Sequence, residues 1–351
     1  NAIGVLWLYN LAQALAAIQQ QYLFHTYFSA DGSATPTPKS AMLYGYKKAC
    51  DYAWTFLSVG TAGRASDTLG RRPLMAYSSL GLAAGYVMVC RFHSPVGLLA
   101  AGCVDGLSSC MPTICQAYVG DVCAGDENKR ARSLALLSGV ALTGAFLVGF
   151  PLSIVLAAKL KSYRIPIYVA AASQLLNVLV IAAAPESRPP RRARAAPARG
   201  RAVAPSRRRI EPPWAALKAA LRTRKLRTLA SAYLLVVAAQ SALDDCFLLV
   251  AQSRFGWGQK EAGPVLLLVG VLLAAVPQIL VPRLGVDGSI RVGLPLFAAG
   301  YAALSLATNI PAFVCAVALL SIGCVCLPTM LVYLTSLVPD EEKGGALGVA
   351  E

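Results

Sequence analysis

The chain has 351 residues, of which 56% are hydrophobic and only 14% charged, and its mean hydropathy is +0.57. A soluble domain carries about 25% charged residues, so the composition excludes an ordinary water-soluble fold and calls for many apolar spans. The net charge is +15, but 14 of the 32 lysines and arginines fall between Arg188 and Arg227, which in such a chain marks membrane topology and not a nucleic-acid surface.

Ten apolar runs follow one another, at roughly 2–28, 45–63, 73–90, 95–119, 133–157, 165–184, 228–251, 264–282, 292–308 and 311–338, with an eleventh starting near Gly345. A spanning helix needs ~20 such residues. In the first run Asn10, Gln13 and Gln20 recur at helical spacing, with Gln21 adjacent, and His25 is expected at the outer interface. The second run opens with Lys47, Lys48 and Asp51, read as a local ion pair near its outer end.

Between the second and third runs lies "GRASDTLGRR", a short charged turn from Gly63 to Arg72. The fourth run carries Asp105, Ser109, Pro112 and Gln116 at steps that place them on one helical stripe. The seventh carries Tyr233, Gln240 and Asp244 in the same way, with Asp245 beside it, and the tenth carries Thr329, Tyr333 and Ser336. The third and ninth runs are nearly devoid of such groups. Ionisable residues inside spans are costly and are functional candidates. No mid-span lysine or arginine is evident as a partner for Asp105 or Asp244, and a carboxylate so placed can carry a proton or meet a cationic group.

The segment from Pro185 to Trp214, rich in Pro, Ala and Arg, is too polar to fold alone. It divides the chain into residues 1–186 with six spans, a basic linker at 187–227, and residues 228–351 with four spans and the start of a fifth. With the first helix running outward, 23 lysines and arginines fall on the inner side and nine on the outer. The N-terminus and the linker are therefore expected in the cytoplasm, where the arginines could also meet anionic lipid headgroups. Without the linker the two sides tie.

Ten cysteines occur without a Cys-x-x-Cys pair and with only His25 and His93 to assist a metal. They read as small buried hydrophobes, and neither a metal nor another cofactor is expected. No nucleotide loop or nucleophile–base set is present, so an enzyme is not expected.

The halves echo one another. "MPTICQAYVGDVCAGDENKR" ends the fourth run and "LPTMLVYLTSLVPDEEKG" the tenth, each with Pro-Thr, a tyrosine-containing stretch and an acidic turn. Similarity between spans six apart is the mark of a two-half transporter.

Gly63-x-x-x-Asp67-x-x-Gly70-Arg71-Arg72 resembles motif A of the major facilitator superfamily, in the loop where that family carries it. Pro185-Glu186-Ser187 looks like the end of the sixth helix in drug-efflux members, and "AYVGDVCAGDENKRARSLAL" looks like the end of the fourth in tetracycline-efflux members. The resemblance implies an all-α polytopic fold of two six-helix halves, here with ten full helices, as either a fragment or a ten-helix variant. It implies transport of a small solute across the bilayer by alternating access, or a non-transporting sensor or structural subunit of the same fold.

It also implies roles. Asp67 would pair with a motif arginine and face the start of the family's eleventh helix, and Asp121 would take Arg71 or Arg72, so that the contacts close one side of the protein in one state. The cavity would be lined by the first, fourth, seventh and tenth helices, hence by Gln13, Asp105, Ser109, Gln116, Gln240, Asp244, Asp245 and Tyr333. Proton coupling and direction stay open. Gly102 stands where proton-coupled relatives carry an arginine, and the Gly-Pro end of their fifth-helix motif is replaced by Gly149-Phe150-Pro151.

Overall fold

Where they are described, the predicted apolar runs fold as helix, since a backbone in lipid must satisfy its own hydrogen bonds; most of 133–143 and the start of an eleventh run near Gly345 lie outside the described residues. The computed structural model describes residues 2–29, 32, 34–123, 133, 137, 144–187 and 224–336, which contain helices and no strand. The helices are α1 (Ala2–Phe28), α2 (Pro38–Leu69), α3 (Arg71–Arg91), α4 (Pro95–Ser108), α5 (Met111–Val122), α6 (Gly144–Leu160), α7 (Arg164–Ala183), α8 (Arg224–Phe255), α9 (Gln259–Leu306), α10 (Ile310–Gly323) and α11 (Cys326–Ser336). Seven described segments are long and apolar enough to cross a membrane. Most of the linker, with its arginines, lies outside the described residues, as does the acidic turn after Cys123.

Helix α2 departs most from the sequence reading. It begins at Pro38, seven residues before the predicted run, because Thr37 caps it: the Thr37 side chain accepts from the Ser40 amide, and the Ser40 hydroxyl from the Thr37 amide. His25, expected at the interface, is instead buried, with Nδ1 2.8 Å from Ser40 Oγ. The early start carries Lys47 about 14 Å into the helix, at 1.5 Å per residue. The two lysines thus lie more than two turns inside α2, not at its start.

At the other end, α2 continues helical through the charged motif to Leu69. The expected loop shrinks to Gly70, whose φ of 103° turns the chain into α3. Gly63 contributes neither a turn nor a close approach, since a Cβ there would meet nothing within 4 Å.

The fourth and tenth runs, read as continuous, are both broken. Helix α4 stops at Ser108 and α5 starts at Met111; α10 stops at Gly323 and α11 starts at Cys326. Each break comes just before a proline, Pro112 or Pro328, which lacks an amide to donate. At the first break the freed carbonyls find hydroxyls on neighbouring helices. Ser58 donates to Gly106 O, Tyr77 to Leu107 O and Ser78 to Ser108 O. The echo noted between the halves is therefore one of backbone as well as sequence.

Helix α9 has 48 residues. That is about 72 Å, more than twice a ~30 Å hydrocarbon core. It is two helices meeting at a kink at Gly285 (φ 70°, ψ 179°), and they match the two predicted runs. The first part packs on α6, with Gly263 near Ile154 and Gly270 near Leu147. The second packs on α10, with Gly300 against Leu320.

Three apolar clusters hold the helices together. One lies within α1–α7 around Tyr9, Phe24, Met111 and Ile167. Another lies around Phe297, Leu320 and Met330. The cluster between them joins the halves, with Ile18 and Tyr22 of α1 against Phe247, Leu248 and Ala251 of α8.

Candidate functional site

Helix α2 presents consecutive lysines to two different acids. Lys47 points into the first half. Its Nζ lies 2.6 Å from Asp105 Oδ2 on α4 and donates to Gln20 Oε1 on α1 at 3.3 Å. Lysine and acid side chains are 2% and 7% exposed. The expectation that Asp105 lacks a cation is therefore corrected. So is the local ion pair with Asp51, whose carboxylate instead lies 3.5 Å from Thr55 Oγ1.

Close packing makes this burial feasible. A Cβ on Gly102 would sit 2.6 Å from Lys47 O, and one on Gly106 2.2 Å from Asp51 O. The two glycines, one turn apart, let α4 seat directly on the α2 backbone. On the other side a Cβ on Gly85 of α3 would lie 1.7 Å from Asp105 Oδ1. The glycines open room for α2, and α2 supplies the cation for Asp105. An ion pair this deep survives because attraction and hydrogen bonds offset desolvation.

Lys48 points toward the other half. Its Nζ lies 3.1 Å from Asp245 Oδ1 on α8, and Tyr52 OH donates to Asp245 Oδ2 at 3.0 Å. Gln21 of α1 donates to the Asp245 backbone carbonyl at 2.8 Å, and Gln252 of α8 to Ala34 O at 2.9 Å. These contacts join the halves where α1 ends and α2 begins. Unlike the Lys47 pair, Lys48 and Asp245 are partly open, at 25% and 19% side-chain exposure.

The remaining predicted cavity residues are placed unevenly. Asp244 is exposed on α8 and accepts from Gln240 Nε2 at 2.7 Å; among the described residues it has no ion-pair partner. The Gln240 Oε1 accepts from Cys324 Sγ at 3.4 Å. Gln13 and Gln116 are half-buried, and Tyr333 is exposed. Ser109 is half-buried at the helix break, so its stripe with Asp105 and Gln116 is not continuous. Asp105 is turned into the first half, buried against Lys47.

The motif forms a second constellation at the opposite end of the first half. Arg71 Nε lies 3.0 Å from Asp121 Oδ2, and its Nη1 donates to Ser66 Oγ. Glu186 accepts the amides of Arg71 and Arg72, both at 3.0 Å, so its carboxylate caps the positive end of α3. Arg72 donates to Ile181 O and Ala182 O at the end of α7. Tyr118 OH donates to Pro185 O at 3.0 Å. Four helices, α2, α3, α5 and α7, are tied by these bonds. The Asp67 side chain lies outside the described residues.

The sequence reading missed Lys47, Lys48, Tyr52 and Gln21 as site residues. The signal that could have found the first three is the Thr37-Pro38-x-Ser40 cap, which starts α2 early enough to carry them well into the helix.

Broken helices, seven segments long and apolar enough to cross a membrane, charges paired between helices and a motif-capped turn define a polytopic helical membrane protein of the two-half type. The chain matches the Major Facilitator Superfamily over residues 49–351 and belongs to that family. It is 30% identical over 235 residues to bovine (Bos taurus) major facilitator superfamily domain-containing protein 10, covering 63% of this chain and 49% of that protein. The chain thus spans about half the length of this relative. It is 26% identical over 309 residues to the class C tetracycline resistance protein of Escherichia coli, covering 87% of this chain and 74% of that protein. Its fold is similar to the crystal structure of the human organic anion transporter MFSD10 (TETRAN), with a TM-score of 0.71 and 20% identity over 99% of this chain and 88% of that one.

Proposed function

We propose that the protein moves a small solute across a membrane by alternating access between its two halves, residues 1–186 and 228–351. The observation that carries this reading is the partly open Lys48–Asp245 pair, which joins the two halves through a contact that can break when they move apart. Transporters among its relatives and structural neighbours support it. The basic linker at 187–227 lies in the cytoplasm in this reading, as does the N-terminus. Moving Lys47 and Lys48 from the outer loop into α2 supports that orientation, because it breaks the tie among the other loops. Gly63, Asp67, Gly70, Arg71, Arg72 and Asp121 act as the conformational switch at the cytoplasmic end. The chemistry is that of binding and rearrangement, without a catalytic step.

The pairing of Asp105 withdraws one of the arguments for a cationic solute. Asp244 keeps a proton or a cationic group in play, and the neighbour described as an organic anion transporter points to a solute of opposite charge. The test is a solute-library uptake and efflux screen in proteoliposomes, with and without a pH gradient. Saturable flux of any solute supports the reading; absence of flux with intact protein leaves a sensor or structural subunit.

A further inference from the structure

We infer that Lys48 and Tyr52 form a carboxylate-binding subsite for the solute, which the protein's own Asp245 occupies in this conformation. The inference rests on the transport reading above and assigns it a solute class, organic carboxylates.

The geometry is that of a two-point receptor. The Asp245 carboxylate has one oxygen on an ammonium, at 3.1 Å, and the other on a phenol hydroxyl, at 3.0 Å. Both donors stand on α2, one helical turn apart, so they face the same way whatever α8 does. They also hold each other: Lys48 Nζ lies 5.7 Å from the Tyr52 ring centroid, within the range of a cation–π contact. The receptor is therefore built entirely in the first half, and its occupant comes from the second.

Halves that separate at this end carry Asp245 away with α8. Lys48 is then left in a partly buried site without its counter-charge, at a cost that a free carboxylate from solution can remove. The neighbouring pair cannot do this, because Lys47 and Asp105 both belong to the first half and stay together. Exposure agrees: Tyr52 is exposed and the Lys48–Asp245 pair is partly open, whereas Lys47 is sealed. A solute carboxylate and Asp245 thus compete for the same two donors. Binding of the solute favours the state in which α8 has withdrawn, which couples occupancy to conformation by differential affinity.

The competition makes two substitutions act in opposite directions. Direct binding of radiolabelled benzoate to the purified full-length protein, with benzylamine as the shape-matched cation, is the measurement, and uptake of both into proteoliposomes runs in parallel. Lys48→Gln is expected to weaken benzoate binding at least about tenfold, in line with loss of a charge-assisted contact, and Tyr52→Phe several-fold. Asp245→Asn is expected to tighten it by a similar factor, because the internal competitor is gone. A variant that merely folds poorly would lose binding in every case and could not gain it. No benzoate binding by either the native protein or Asp245→Asn, or equal losses from Lys48→Gln and Asp245→Asn, would overturn the subsite and leave a latch. Saturable benzylamine uptake without benzoate binding would keep the transport reading and remove the subsite. The expected binding pattern without flux of any solute would keep the subsite and remove transport.

Discussion

Lys47 Nζ and Asp105 Oδ2 meet at 2.6 Å, 58 positions apart in the chain, in the sealed space among α1, α2, α3 and α4. One position later Lys48 crosses to the other half. Two adjacent lysines thus divide their work: the first closes a buried charge within one half, and the second links the halves where they can part.

Breaking the inner pair should destabilise the first half. Asp105→Asn leaves the Lys47 ammonium buried without its counter-charge, and loss of one partner of a buried pair costs about 3–5 kcal/mol. Replacing both groups, Lys47→Met with Asp105→Leu, should recover most of that loss. Denaturant unfolding in detergent micelles measures both, and a double variant as unstable as the single one would show that the pair is not the source of the loss.

The two glycines of different standing separate packing from switching. Gly102→Ala places a Cβ 2.6 Å from the Lys47 carbonyl, and the resulting overpacking of α2 on α4 should cost about 1–3 kcal/mol. Gly63→Ala meets nothing within 4 Å and should leave thermal stability unchanged or raise it by up to ~1 kcal/mol through helix propensity. If Gly63→Ala nonetheless slows flux, the glycine is required in a conformation other than this one. Equal stability of the two variants would refute the packing role of Gly102.

The carboxylate cap on α3 has a local readout. Glu186→Ala removes the acceptor of the Arg71 and Arg72 amides, a loss comparable to that of a helix cap, about 0.5–2 kcal/mol. Hydrogen exchange should accelerate at those two amides while the centre of α3 keeps its protection. Uniform acceleration along α3 would mean that Glu186 supports the whole helix.

The linker at 187–227 should be reachable from the cytoplasmic side alone. In sealed right-side-out vesicles, added protease should spare it, and permeabilisation should expose it to cleavage among its arginines. Cleavage before permeabilisation would invert the topology.

That the chain is helical, and roughly where its apolar helices lie, was legible in the chain itself, because hydrocarbon solvates no backbone and each crossing must be a long apolar helix. The turn motif and the Pro-Glu-Ser end of the first half were legible as local motifs, but that Glu186 caps α3 from 115 positions away was not. The early start of α2 was also written locally, in Thr37, Pro38 and Ser40. What tertiary structure alone decided is which charge meets which. Tyr52 and Asp245 are 193 positions apart, and periodicity on one helix fixes which residues share a face but not which neighbour that face turns toward. Asp105 and Asp244 sit on similar stripes, yet one is sealed against Lys47 and the other exposed. The difference lies in how closely Gly102 and Gly106 let α4 approach α2, a property of two surfaces in contact and not of either sequence alone.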